Sequence, residues 1–372
     1  MMPDYTAGTM PRDFRSRGYR VAAMAALAYS LVIIYASLKP FTGWGAEPVP
    51  FGAFLLAPWP RWISLEDVGF NFAAYLPLGF LLALALCARL HPRMAVLLAA
   101  VTAALLSFLL ESAQQHLPVR FASTVDLLVN ACGGTVGALI APLFAPGHRL
   151  GEGLALLRNR WFIGGLRGDA VLVLAGLWLL TQLHAAPINM GNGDLRASLE
   201  LDALFAYTPE TYRYAEAAVV MFSVIGIGLL LASVARTIDS GYWRTSALLI
   251  AGACALKAAA SWFILRTASL WNWLTPGFAM GLAAAVVLLM VFVRLPPRGR
   301  AFVALLALLA AVVLVNCTPE NPYRTVPPHM LPGRVGHFLS FTNMIGALSD
   351  LWPFLALLFL LVSLPMRHTS RR

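Results

Sequence analysis

The sequence predicts an all-α fold, a polytopic integral membrane bundle of about ten transmembrane helices, and three observations carry that expectation. Hydrophobic residues make up 59% of the 372 positions and charged residues only 12%, about half the charged share of a soluble domain. The mean hydropathy of +0.74 is averaged over the whole chain, so the apolar character is not confined to one anchor. Lys and Arg gather at the ends of the apolar runs, where they set membrane orientation.

A span needs about 20 mostly apolar residues to cross ~30 Å of hydrocarbon. A tail over residues 1–19 carries Arg12, Arg15 and Arg17, and Arg20 opens the first apolar run, 20–38. That run exceeds a signal-peptide core of roughly 7–15 residues and no A-x-A cleavage site follows it, so it reads as a retained helix. The second span, 68–88, contains Pro77 and Gly79, breakers that membrane helices tolerate where neighbours satisfy the freed backbone groups. Spans at 94–113 and 125–145 follow after short connections and complete a four-helix group.

Residues 146–168 mix Leu154, Leu156, Leu157, Trp161 and Phe162 with Arg158, Arg160 and Arg167. This composition suits a basic cytoplasmic or interfacial linker. It separates the first four spans from a six-helix region, 169–372, whose spans fall at 169–185, 214–235, 245–265, 276–294, 300–317 and 345–365. With the N-terminus inside, 18 of the 27 Lys and Arg residues lie on the cytoplasmic side, 8 lie outside, and Lys257 falls within a span. The bias predicts a multi-pass protein of the inner (cytoplasmic) membrane with both termini cytoplasmic.

The net charge of +10 is accounted for by these loop ends, so no nucleic-acid partner is expected. Cys87, Cys132, Cys254 and Cys317 lie within or at the end of apolar runs and lack disulfide or zinc spacing. No phosphate-binding or metalloprotease motif occurs, and neither a metal nor a cofactor is expected. No residue is assigned a catalytic role.

Polar residues at the span ends follow one geometric rule. Asp67 and Asn71 are four apart at the start of span two, Glu111 and Gln115 four apart at the end of span three with Gln114 beside them, and Asp126 and Asn130 four apart at the start of span four. Residues at i and i+4 share a helix face, so three consecutive spans each present a carboxylate and an amide at similar depth. Arg120, between spans three and four, is their cationic neighbour. Gly133, Gly134 and Gly137 form a small-residue stripe that lets a neighbouring helix approach. Lys257, alone in mid-span, has Glu216 and Asp350 as prospective partners.

These residues carry a family resemblance. Ser37 to Phe41, Asn71-Phe72 through Leu76-Pro77-Leu78-Gly79-Phe80, Ser107 to Glu111 with Gln114 and Gln115, Arg120, and Asp126 to Asn130 with the three glycines resemble the VanZ-like family over about residues 20–145. Members of that family are membrane proteins associated with teicoplanin resistance, so the resemblance implies a cell-envelope role without naming a reaction.

The expected function is therefore recognition, through the polar cluster, of an outer-leaflet or lipid-linked cell-wall component, with membrane lipids as further partners. Helix packing alone is the plainer account of the same cluster. A membrane enzyme acting on a lipid-linked substrate and a secondary transporter are the alternatives.

Overall fold

The computed structural model describes residues 12–39, 41, 44–45, 49–59, 63, 65–117, 120–145, 147–184, 188, 190–199, 202–264, 270–319 and 338–363. Among these, every named element is helical, and each of the ten expected segments is a helix. Eight helices are long and apolar enough to cross a membrane, and the chain is a multi-pass membrane protein. The other two expected spans are shorter. The helix Leu166–Thr181 has 16 residues and Pro276–Phe292 has 17, about 24 and 26 Å at 1.5 Å per residue. The first begins before residue 169 because Gly165, at φ 98°, turns the chain there, and Asp169 lies in the favourable first turn.

The chain divides into two compact units, residues 1–160 with 332–344, and residues 161–331 with 345–372. In the first unit, α1 (Arg12–Leu38), α2 (Leu65–Leu86), α3 (Pro92–Gln114) and α4 (Thr124–Ile140) pack together, with a 3-10 turn at Ala53–Leu56 and another, Ala141–Phe144, extending α4. The tightest pairing is α2 against α4. A methyl built on Gly79 would overlap the Gly134 carbonyl, one on Gly133 the Phe72 carbonyl, and one on Gly137 the Leu76 carbonyl. The glycine stripe thus brings two helix backbones into direct contact, where dispersion and not water exclusion holds helices together in lipid.

On α3 the buried residues Ala95, Ala99, Ala103 and Ser107 recur every fourth position, while Leu97, Val101, Leu105 and Leu109 are exposed at the same spacing. Small residues face the bundle and large apolar ones face outward, the arrangement expected where lipid is the solvent. The Tyr29 hydroxyl of α1 donates to the Ala74 carbonyl of α2 at 2.8 Å. After α4, α5 (Arg149–Trp161) exposes Leu150, Leu154, Leu156 and Leu157, with Arg158 and Arg160 in its last turn.

The second unit holds α6 (Leu166–Thr181), α7 (Arg196–Leu199), α8 (Pro209–Ala232), α9 (Ser240–Ile264), α10 (Pro276–Phe292), α11 (Pro297–Cys317) and, from Ile345 on, α12 (Phe338–Ser363), whose first residues belong to the first unit. Its centre is α8, buried almost continuously from Val219 to Ala232 and packed on by α10 and α11. Close approach again depends on glycine: a methyl on Gly281 would overlap the Ala217 carbonyl. All four cysteines are free thiols.

Candidate functional site

Up-and-down packing brings the end of α1, the start of α2, the end of α3 and the start of α4 to one end of the first unit. There the i, i+4 pairs meet. Asn71, Glu111, Gln114, Asp126 and Asn130 line one cleft of about 40 Å³ together with Ser37, Tyr75 and apolar residues including Ile33 and Leu110. Each of the five predicted polar side chains is buried.

Glu111 sits in the last turn of α3, where the helix dipole disfavours a negative charge. Its Oε2 accepts the Ser123 backbone N–H at 2.9 Å, at the N-terminus of α4, which favours one. Ser123 is the N-cap of α4, and its hydroxyl oxygen accepts the Asp126 N–H at 3.4 Å. In a reciprocal capping box the acidic residue three positions on accepts the N-cap N–H. Here Glu111 from another helix takes that place, so both carboxylates lie at the positive end of α4.

The amides and hydroxyls are tied across helices. Asn130 Nδ2 donates to Ser107 Oγ at 3.0 Å, and Ser107 is hydrogen-bonded to Tyr75. Gln114 Nε2 donates to the Ser37 carbonyl at 2.9 Å, holding the end of α1 against α3. Asn130 Oδ1 is buried and has no hydrogen-bond partner among the described residues.

Three predicted members lie elsewhere. Gln115 turns to the α1–α2 connection, where its Oε1 accepts the Phe54 N–H at 2.9 Å and its Nε2 donates to the Ser112 carbonyl at 3.2 Å. Arg120 donates through Nη2 to the carbonyls of Ala36 at 2.9 Å and Lys39 at 3.2 Å, closing the C-terminus of α1, where a cation suits the dipole. Burial lowers the Arg120 pKa and the Glu111 charge offsets part of that, so the guanidinium lies within electrostatic reach of the cleft without lining it. Asp67, in the first turn of α2, is half-buried and outside the lining. Sequence reasoning missed Tyr75 and Ser107 as lining or supporting groups. The same spacing would have found them, since each stands four residues from a member, Asn71 and Glu111 respectively.

A second groove, of about 180 Å³, runs along Phe54, Ala57 to Trp59 and Phe121 to Thr124. Ser123 links the two, offering its N–H to Glu111 on one side and lining the groove on the other.

In the second unit Lys257 is buried, with Nζ 3.5 Å from the His184 carbonyl, and it interacts electrostatically with Glu216. Glu216 is buried on α8, hydrogen-bonded to Thr275, the N-cap of α10. Gly277 leaves room for its carboxylate, since a methyl there would strike Glu216. A larger network was not foreseen. Asp194 and Arg196 form a bidentate pair at 2.8 and 2.6 Å, Arg196 Nη1 donates to the Thr318 carbonyl at 2.7 Å, and Asn316 binds both Leu195 N and the Gly193 carbonyl at 2.8 Å. Burial pushes the Asp194 carboxyl up, but its bonds to Arg196 and the Arg196 charge outweigh this and hold it below the usual carboxylate range.

Residues 15–145 match the family model described as VanZ/LLP1. The match runs from residue 15 in α1 through α4 and takes in all five predicted polar residues of the cleft, though not Met344, which also lines it, and this region is VanZ-like. No curated protein and no solved structure matches the chain.

Proposed function

We propose that the VanZ-like module of this multi-pass membrane protein binds a polar group of an outer-leaflet or lipid-linked cell-wall component in the cleft between α2, α3 and α4. One observation carries the reading: five polar side chains from three helices converge on a single buried cleft at one end of a membrane bundle. Buried ionisable groups at membrane depth are costly and mark functional sites by default. A cleft of about 40 Å³ has room for about three waters, so the body of a lipid-sized ligand lies outside it. The aromatic groove beyond Ser123 is placed to take an apolar chain or a sugar face. In this reading the cleft opens outward, the termini are cytoplasmic, and the protein serves the envelope of the cell membrane, the setting in which a link to teicoplanin resistance belongs.

The test is native mass spectrometry of the protein in mild detergent, comparing wild type with Glu111→Gln and Asp126→Asn. A lipid or wall precursor that co-purifies with wild type and not with the folded variants supports binding. Equal lipid patterns in all three would return the cluster to helix packing.

The buried Lys257 and Glu216 favour a second reading, secondary transport through the second unit, because opposite charges at membrane depth serve ion pathways. Proton-coupled uptake into proteoliposomes that persists in Lys257→Met would sink it.

A further inference from the structure

We propose that α5 lies along the membrane surface, with a leucine stripe in the acyl region and Arg149 and Arg160 on the phosphates of anionic lipid headgroups. The inference is independent of the cleft and of what binds there.

Connectivity is the first argument. The span Thr124–Phe144 ends shortly before α5 begins at Arg149. A methyl on Gly151 would overlap the Phe144 and Ala145 carbonyls, so the first turn of α5 is folded back on the end of that span. At the other end of α5 the Trp161 carbonyl accepts the Arg236 N–H at 2.9 Å, and Ile163 N donates to the Val234 carbonyl at 2.9 Å, just past the span Pro209–Ala232. Each end of α5 is thus fixed at the end of a membrane span. Its 13 residues extend about 20 Å, short of the ~30 Å of hydrocarbon, and Arg149, Arg158 and Arg160 are among them. Such a helix runs along the surface and does not cross.

The second argument is the bare face. Leu150, Leu154 and Leu157 follow the i, i+4, i+7 spacing of one helix face, and all three are exposed. Among the described residues no other helix packs broadly on α5. Trp161 continues the stripe, and its indole lies against Gly241. Leu156, also exposed, lies off this face. An apolar stripe tied to the end of a membrane span is placed to sink into the boundary between headgroups and acyl chains.

Charge is the third. Arg149 and Arg160 are both exposed and stand three helical turns apart, so they share one edge of the stripe, about 16 Å from each other along the axis. Each therefore meets its own headgroup. Glu152 and Asn159 fall on the opposite side of the helix. A guanidinium is a planar fork that matches phosphate, and its stem lies along apolar surface while its head stays at headgroup level. Arg158, on the other edge, donates to Asn159 and is not assigned a headgroup. Arginines flanking an apolar face complement an anionic leaflet better than a zwitterionic one.

The test uses the full-length protein with its four native cysteines replaced, in nanodiscs of phosphatidylglycerol and phosphatidylcholine. A fluorophore is attached at Leu154→Cys or at Glu152→Cys, and quenching by nitroxide-bearing lipids is measured. The Leu154 probe is expected to be quenched and the Glu152 probe spared. At equal mole fractions, nitroxide phosphatidylglycerol is expected to associate with the Leu154 probe at least about fivefold better than nitroxide phosphatidylcholine. The preference disappears in Arg149→Gln/Arg160→Gln. It also falls when salt rises from ~0.1 M to ~1 M, which cuts the screening length from ~10 to ~3 Å, and this readout holds where the double variant folds poorly. Equal association of both lipids at low salt overturns headgroup recognition. A preference that survives the double substitution assigns it to other basic groups and overturns the role of Arg149 and Arg160. A Leu154 probe quenched by neither lipid overturns the docking itself and leaves the face to a second copy or another protein.

Discussion

Glu111 stands at the unfavourable end of its own helix and is held there by the start of another. Its Oε2 replaces the carboxylate that a capping box would supply to the Ser123 N–H. Glu111→Gln keeps an acceptor oxygen at that place, whereas Glu111→Ala removes it. The alanine variant is expected to lose about 1–3 kcal/mol of stability and the glutamine variant less than about 1 kcal/mol, read from unfolding in detergent; equal losses would mean that the carboxylate serves something other than the α4 cap. Asp194 gives a pH-dependent case. Its folded pKa lies below the ordinary value of 3.8, so the folded state binds the proton less readily than the unfolded chain. The stabilisation from the Asp194–Arg196 pair is therefore complete well above 3.8 and fades as pH falls through that value to the depressed one. The gap in melting midpoint between wild type and Asp194→Asn should narrow from pH 7 to pH 3, and a constant gap would refute the assignment.

At the scale of elements, the contact of α2 with α4 is a backbone contact, and it separates glycines that look alike in sequence. Gly79, Gly133 and Gly137 each face a carbonyl of the partner helix, while Gly69, also on α2, has nothing within 4 Å of an added methyl. Gly79→Ala or Gly137→Ala must push the helices apart and is expected to cost about 1–3 kcal/mol. Gly69→Ala relieves the entropic cost of a helical glycine and should be neutral or stabilising by up to about 1 kcal/mol. Similar losses at all three positions would remove the case for direct backbone packing. Because α4 carries Asp126 about two turns and Asn130 about one turn before this contact, a displaced α4 would also widen the cleft, so the packing variants should lose bound ligand along with stability.

For the whole molecule, the distribution of basic residues predicts which ends face the cytoplasm. Gly153 lies exposed in α5 and Ala57 exposed in the α1–α2 connection, on opposite sides if the count of loop charges sets orientation. In a variant whose four native cysteines are replaced, a membrane-impermeant thiol reagent applied to intact cells should label Ala57→Cys and spare Gly153→Cys. The reverse pattern would invert the topology and turn the cleft toward the cytoplasm, where an outer-leaflet ligand could not reach it. Each unit has its own set of polar residues, Glu111 and Asn130 lining the cleft in one and Arg196 and Asn316 bound to backbone carbonyls in the other, so variants in one are expected to leave the lipid pattern set by the other unchanged.

Local chemistry made the spans legible. An apolar run of sufficient length must be helical in lipid, since only internal hydrogen bonds satisfy its backbone there, and all ten expected segments are helices. Spacing made the shared faces legible as well, which is why Asn71, Glu111, Gln114, Asp126 and Asn130 reach one cleft and the Gly133 to Gly137 stripe meets a partner helix. What spacing leaves open is where a shared face points. In a membrane both the inner and the outer surfaces of a bundle are apolar, so the hydrophobic pattern does not orient a helix as it does in water. Only the tertiary structure turned Gln115 toward Phe54, set Arg120 on the end of α1 and left Asp67 outside the lining. It alone joined Asn316 to the Gly193 loop, a partnership between residues 123 positions apart that no local pattern records.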